Sequence, residues 1–266
     1  MTRIGSRCLP QAFKHSLSPQ NARRARDTVG HSNDDRLKSG PINGDHITEP
    51  GAHRMKLVSY PTSPFARKVR IAAIEVGVHD RLEIVDANPL ADDGVVARHN
   101  PLGKVPALVL DDRTLVDSPL ICAYLDTLHG GPKLHPDGDW RTLQLQALGD
   151  GMMDATVLRR LETLRPESLR SAHWIARYEA AVQRTLIELA THVSALSDTV
   201  TIGTITVGCA LGYLDRRYAE VNWRDREPDL AEWFEVWSAR PAAVATAPPP
   251  GHPGATETLR NEVDDR

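Results

Sequence analysis

Sulfur is scarce in this chain, and long apolar runs are missing. Its three cysteines, Cys8, Cys122 and Cys209, are widely separated and form no CxxC pair. That pattern excludes a disulfide framework and a cysteine-based zinc site, so no metal is expected. Cys122 and Cys209 fall in apolar helical patterns and read as buried thiols, which points to a reducing, cytoplasmic setting. No stretch approaches the apolar length needed to span a bilayer, and no secretory h-region is found. A basic excess is missing too. The formal net charge is −3, and residues 1–54 hold nine Lys/Arg against five Asp/Glu, leaving 23 against 30 in the rest. An acidic body argues against nucleic-acid binding, which rests on phosphate contacts from basic residues.

What is present is the composition of a globular protein, 41% hydrophobic and 25% charged, with length for one large or two ordinary domains. Residues 1–54 lack sustained periodicity and are rich in Arg, Ser, Gly, Pro, Asn and Asp, which predicts a disordered extension. Six Lys/Arg and no acid in the first 26 residues give it a faint transit-peptide character, but no apolar face accompanies them. From Met55 the pattern changes. Lys56–Tyr60 reads as a strand, Phe65–Val76 as a helix ended by Gly77, and Leu82–Val85 as a second strand. Asp86–Asn100 reads as a polar connection with at most a turn of helix. A hairpin follows (Ala107–Leu110, Thr114–Val116), then a helix over Ser118–Leu128. The order is βαβ followed by ββα.

After the Gly/Pro-rich segment 131–138, strand signals vanish. Helices are predicted over Asp139–Leu164, Ser168–Leu196, Thr201–Tyr218 and Asp229–Ala239, the third apolar enough to be buried. Trp174, Trp233 and Trp237 read as core. The divisions are an extension (1–54), an α/β domain (55–130), a linker (131–138), an all-helical domain (139–247) and a disordered tail (248–266).

Two segments carry chemistry. In Asn100-Pro-Leu-Gly-Lys-Val-Pro106 a proline stands where a strand begins, and in Asp117-Ser118-Pro119 a helix opens. A helix start gathers unpaired N–H groups and positive dipole, which suits a carboxylate. Ser63, before Pro64 and Phe65, stands at another helix start and taken alone reads as an N-cap serine.

These motifs resemble the soluble glutathione S-transferases over about residues 55–247. Ser63-Pro-Phe-Ala-Arg-Lys-Val-Arg-Ile71 is similar to the catalytic loop and first helix of the serine-type, bacterial-type members, and its Ser-Pro-Phe opening is similar to the tau class. Asn100–Pro106 matches the segment ending in a cis-proline, Asp117-Ser118 the Glu/Asp-Ser pair, and Thr201–Asp215 the buried helix with its capping box. Thr204 stands where that box usually has Asp, so the reciprocal bond is expected to be weaker.

The resemblance implies a thioredoxin-like α/β domain followed by an all-α helical bundle, a homodimer, and a detoxification enzyme. Glutathione would be co-substrate, with no permanently bound cofactor. It makes Ser63 the hydrogen-bond donor to the glutathione thiolate, with Thr62 in reserve. Val105 would bond the cysteinyl main chain beside a cis Pro106, Lys104 the glycyl carboxylate, Ser118 the γ-glutamyl carboxylate, and Asp117 the amine. Met153, Asp154 and Arg165 on the long helix are candidates for the pocket of an electrophilic, mostly apolar small molecule, although Asp154 and Arg165 also read as surface ion pairs. A serine at position 63 disfavours thiol–disulfide exchange, which needs a cysteine there. Two alternatives share the fold: a non-catalytic glutathione-transferase-like binding protein, and a glutathione-dependent isomerase or dehalogenase.

Overall fold

The computed structural model describes residues 55–91, 94–196 and 199–250. The extension with Cys8, and the tail beyond residue 250, lie outside the described residues. Strand β1 (Met55–Ser59) leads into helix α1 (Pro64–Glu75), then β2 (Leu82–Asp86), the short α2 (Val95–His99), β3 (Ala107–Val109), β4 (Thr114–Leu115) and α3 (Ser118–Leu125). The strands form one sheet in the order β2-β1-β3-β4. β1 is parallel to β2 and antiparallel to β3, and β3 is antiparallel to β4. This is the expected thioredoxin-like arrangement. Leu57 and Val58 have no exposure because β1 lies inside the sheet.

The helical part comprises α4 (Trp140–Leu164), α5 (Ala172–Thr191), α6 (Ile202–Arg217), α7 (Trp223–Arg226), α8 (Pro228–Ser238) and α9 (Pro241–Ala245). Helix α5 is shorter than the sequence pattern predicts, because single 3-10 turns at Glu167–Leu169 and Val193–Ala195 take up its expected ends. The four-residue α7 and five-residue α9 are too short to show a period, so no sequence pattern marks them. Helix α6 is buried nearly all round, as its composition predicts. It lies close against α4 because glycines remove side chains at the crossing: a Cβ on Gly149 would stand 2.8 Å from Thr206 Cγ2, and one on Gly203 2.7 Å from the Thr142 carbonyl oxygen.

Two expectations are corrected. The α6 capping box is complete: Thr204 N–H donates to Thr201 Oγ1 at 3.2 Å, and Thr201 N–H donates to Thr204 Oγ1 at 3.0 Å. A hydroxyl accepts as a carboxylate would, so the missing acid removes no bond. Trp174 is not core. It is 47% exposed and stacks on Tyr178 at 5.8 Å, one turn along the same helix. Trp237, by contrast, is 6% exposed.

Segment 131–138 is held by hydrogen bonds to both α3 and the start of α6. Asp126, at the end of α3, accepts hydrogen bonds from Leu134 N–H (2.9 Å) and His135 N–H (3.0 Å), and its carboxylate also meets the rings of His129 (3.0 Å) and His135 (3.3 Å). Leu134 is buried, and its carbonyl accepts from Ile202 N–H at the start of α6. Burial alone would raise the Asp126 carboxyl, but the donors from His129, Leu134 and His135 outweigh it and hold it below the ordinary 3.8. Its stabilisation is therefore present above about pH 3.8 and lost as pH falls through the lower folded value. Burial also pushes His135 below its ordinary 6.5, despite Asp126, so the fold loses stability as pH drops below about 6.5 and the unfolded chain takes up that proton. Asp126→Asn is expected to cost about 2–3 kcal/mol at pH 7. The gap from wild type should narrow below about pH 3.8, as read by urea unfolding at both pH values.

Candidate functional site

The sheet register gathers the three motif segments at one end. Val58 pairs with Ala107, so β1 finishes where β3 begins; Leu108 pairs with Leu115, so β4 finishes at that same end. The loop to Ser63, the Val105-Pro106 turn and the Asp117-Ser118 helix start therefore meet on one edge. The N-termini of α1 and α3 both open there, which concentrates N–H groups and positive dipole on one spot.

Ser63 is the N-cap of α1, with Pro64 at the first helical position. Its Oγ accepts from Ala66 N–H at 3.2 Å, and its own N–H donates to the Tyr60 carbonyl at 2.9 Å. Capping uses a lone pair of the hydroxyl and leaves its proton to be donated outward. Thr62 is buried, at 5% exposure.

The Val105–Pro106 peptide is cis, as the resemblance implies, and Val105 lies beyond the last pair of the β1–β3 ladder. Asn100 holds this loop in shape. It is buried, its Nδ2 donates to the Lys104 carbonyl at 2.7 Å, and its Oδ1 accepts from Leu102 N–H at 2.9 Å. Gly103 turns the chain at φ 62°, a conformation that favours glycine. Lys104 is left exposed. Asp117 is the N-cap of α3 but makes no side-chain capping bond; it is exposed, while Ser118 is buried at 2% exposure. The Val116–Asp117 peptide is cis as well.

Behind this edge lies an ion pair that no sequence pattern marks. Lys68 of α1 has no exposure, and its Nζ stands 2.6 Å from Asp150 Oδ1 of α4. Burial pushes the Asp150 carboxyl up, against the pull of Lys68, and the charges of Asp117 and Asp154 push the same way. Asp154 behaves similarly: burial raises its carboxyl, Lys104 opposes, and Asp117 adds to the rise. Asp154 thus shares its electrostatic surroundings with Lys104 and Asp117. Both thiols among the described residues are buried and pushed up, Cys122 to about 12 and Cys209 to about 11, mainly by desolvation. Neither supplies a reactive thiolate.

A small cleft of about 10 Å³, room for about one water, opens at Ser63. Its walls are Thr62, Ser63 and Arg67 on one side, and Gly212, Tyr213 and Arg216 of α6 on the other, with Pro248 closing it. Met153, Asp154 and Arg165 do not line it. Met153 has no exposure and belongs to the core, and Arg165 is an exposed residue 3.4 Å from Glu162. The far wall of this cleft is α6, which the sequence marks only as buried; a Gly-Tyr step among aliphatics is the one available signal. A wider cavity of about 650 Å³ lies between α5 and α8. It shares no residue with the Ser63 cleft and gathers none of Ser63, residues 100–106 or Asp117 and Ser118. Among the described residues no cluster suited to a metal ion occurs, and no helix is long and apolar enough to cross a membrane.

Comparison with known proteins agrees with this geometry. The family model described as glutathione S-transferase, N-terminal domain, matches residues 62–128, and that described as glutathione S-transferase, C-terminal domain, matches residues 172–235. A glutathione transferase family member from Pseudomonas fluorescens Pf-5, solved with bound glutathione, is 40% identical; the match covers 73% of this chain and 99% of that one, with a TM-score of 0.71. A family member from the same strain with bound S-(propanoic acid)-glutathione is 39% identical, covering 73% and 100%, with a TM-score of 0.67. The uncharacterized GST-like protein YibF of Escherichia coli (strain K12) is 34% identical over 202 residues, which is 73% of this chain and 99% of that protein. With its fold, its motif segments and its full-length relatives in agreement, the chain belongs to the glutathione S-transferase family.

Proposed function

We propose that this protein is a glutathione transferase of serine type, in which Ser63 stabilises the glutathione thiolate for attack on an electrophilic small molecule. The observation that carries the reading is the placement of the Ser63 hydroxyl, capped on its acceptor side, at an α1 N-terminus that shares an edge with the Val105–Pro106 turn and the α3 N-terminus. A free thiol has a pKa near ~8.5, and both a hydrogen bond to sulfur and a helix N-terminus lower it. Ser118 and the first N–H groups of α3 would receive the γ-glutamyl carboxylate, Asp117 the amine, Val105 the cysteinyl main chain and Lys104 the glycyl carboxylate. The thiol proton leaves to solvent, a sulfur lone pair forms the new C–S bond, and a leaving group departs with its bonding pair. Relatives that hold glutathione, and one that holds an S-substituted glutathione, support both ends of this reaction.

The same reading includes a cytoplasmic homodimer. Exposed Leu102, Leu120 and Trp140 are apolar surface that a partner copy would cover, and a single-chain mass by light scattering would remove the dimer from the proposal. For the activity, calorimetry with glutathione is expected to show binding and 1-chloro-2,4-dinitrobenzene to be conjugated. If glutathione does not bind, the site assignment fails; binding without conjugation of any electrophile in a panel would favour the non-catalytic alternative.

A further inference from the structure

Helix α8 turns one stripe of its surface into the cavity of about 650 Å³ beside α5. Asp229, Glu232, Trp233, Val236 and Trp237, with Arg240 just past the helix end, all line it. Their steps of three and four residues keep them on one helical face. The opposite wall is Val193, Leu196 and Val200, between α5 and α6. A volume of this size falls among small-molecule sites, which span about 300–1,000 Å³. The middle of the stripe is aromatic: the Trp233 and Trp237 rings stand 6.2 Å apart. Trp237 is held in place, since Phe234 stacks on it at 5.8 Å and a Cβ on Gly208 of α6 would overlap its ring. Several polar groups at the cavity are committed. The Thr191 hydroxyl donates to the Glu188 carbonyl at 2.7 Å, and Thr204 closes the α6 capping box. Arg240, the one cation among the described lining residues, meets Glu75 at 3.6 Å. Asp229 and Glu232 differ: both are exposed, and neither has a hydrogen-bond or ion-pair partner among the described residues. Asp229 complements the positive end of the α8 dipole, but Glu232 lies beyond the first turn, where that explanation ends.

We infer that this cavity is a second binding site, separate from the Ser63 cleft, for an aromatic ammonium compound. Its ammonium group pairs with Glu232 and Asp229, and its ring lies against Trp233, Val236 and Trp237. An exposed pair of acids is ordinarily just solvated. Here the two acids share a helix face with two indole rings, and that face bounds an enclosed volume. Indole faces attract a cation within about 6 Å, and carboxylates add charge-assisted hydrogen bonds to the same group. A neutral aromatic would fill the apolar part of the cavity and gain nothing from the acids. An anion would meet two uncompensated negative charges, since Arg240 is already engaged. The inference does not depend on the reading of Ser63.

The test titrates three probes of similar size calorimetrically into the full-length protein at low salt: 1-naphthylmethylammonium, 1-naphthylmethanol and 1-naphthylacetate. The cation should bind at least about ten-fold more tightly than the alcohol, and the acetate more weakly than either. In the Asp229→Asn/Glu232→Gln variant the preference for the cation should fall below about three-fold. Both positions are exposed, so this variant should fold as the wild type does. Trp233→Leu should weaken the cation and the alcohol alike, because both rest on its ring. Excess S-methylglutathione should leave the cation's titration unchanged, as the cavity and the Ser63 cleft share no residue. Equal affinities for cation and alcohol, a preference that survives the double substitution, or displacement by S-methylglutathione would overturn the inference. So would the absence of binding by all three probes. Each of these results leaves the transferase reading standing, whereas failure of glutathione to bind removes that reading and leaves this one.

Discussion

Ser63→Ala is expected to lower kcat/KM for glutathione conjugation by about 10- to 100-fold near pH 7. The reasoning is a proton balance. Each unit by which the site depresses the thiol pKa corresponds to ~1.36 kcal/mol of preference for the thiolate, and a direct hydroxyl hydrogen bond is worth roughly one to two such units. Removing the hydroxyl leaves the α1 dipole in place, so part of the depression should survive. The loss should therefore shrink as pH is raised toward the free thiol value, where glutathione ionises unaided. A pH–rate profile of kcat/KM, together with the ultraviolet absorbance of bound thiolate, reads this directly. Glutathione affinity should change little, because Lys104, Val105 and Ser118 are untouched. The substitution also removes the α1 N-cap, which costs about 1 kcal/mol of stability and leaves a folded protein. Turnover equal to wild type across the pH range would move the donor role away from Ser63, with Thr62 the next candidate.

The second large effect concerns the ion pair between α1 and α4. Lys68→Met should destabilise the protein by about 3–5 kcal/mol, because it leaves the Asp150 carboxylate enclosed without its cation. Lys68→Met/Asp150→Leu should recover much of that loss, since an apolar pair of similar volume removes the unpaired charge altogether. Asp150 already has its carboxyl pushed above the ordinary 3.8 by burial. Losing Lys68 pushes it further, and a group whose folded pKa is raised favours the folded state as pH falls. The defect of the single variant should accordingly be smaller in acid than at neutral pH. Urea midpoints for the four proteins in this cycle give the coupling. A double variant no better than the single one would show that Lys68 acts through packing and not through its charge.

Several parts of the site are legible in the sequence. Ser63-Pro64 and Asp117-Ser118-Pro119 announce helix starts through the chemistry of caps and of proline at the first turn, and both stand where expected. Val105-Pro106 announces a strand entry, since proline cannot join the ladder, and the strand begins at the next residue. Asn100 shows in the sequence only as the residue before a proline. That its side chain closes the loop on Lys104 and Leu102 depends on the folded turn.

Other placements are not legible in the sequence, for identifiable reasons. Trp174 lies on the apolar stripe of α5, but near the helix N-terminus, where the neighbouring helices do not cover it. Lys68 is charged, and charged residues are rarely fully enclosed; only the approach of α4 encloses it. Met153, Asp154 and Arg165 belong to α4 and its C-terminal end, whereas the cleft at Ser63 takes its far wall from α6.

What the sequence determined by itself is therefore local. Caps, prolines and periodicity depend on neighbours a few residues away, and these set the elements, their order and the motif segments between them. Which elements face one another was decided by tertiary structure. The strand register brought three distant segments to one edge, the glycines of α4 and α6 drew those helices together, and the end of α6 put Tyr213 and Arg216 at the Ser63 cleft. A helix apolar on every side has no preferred face in its sequence, so nothing in α6 alone could say which of its residues would face Ser63.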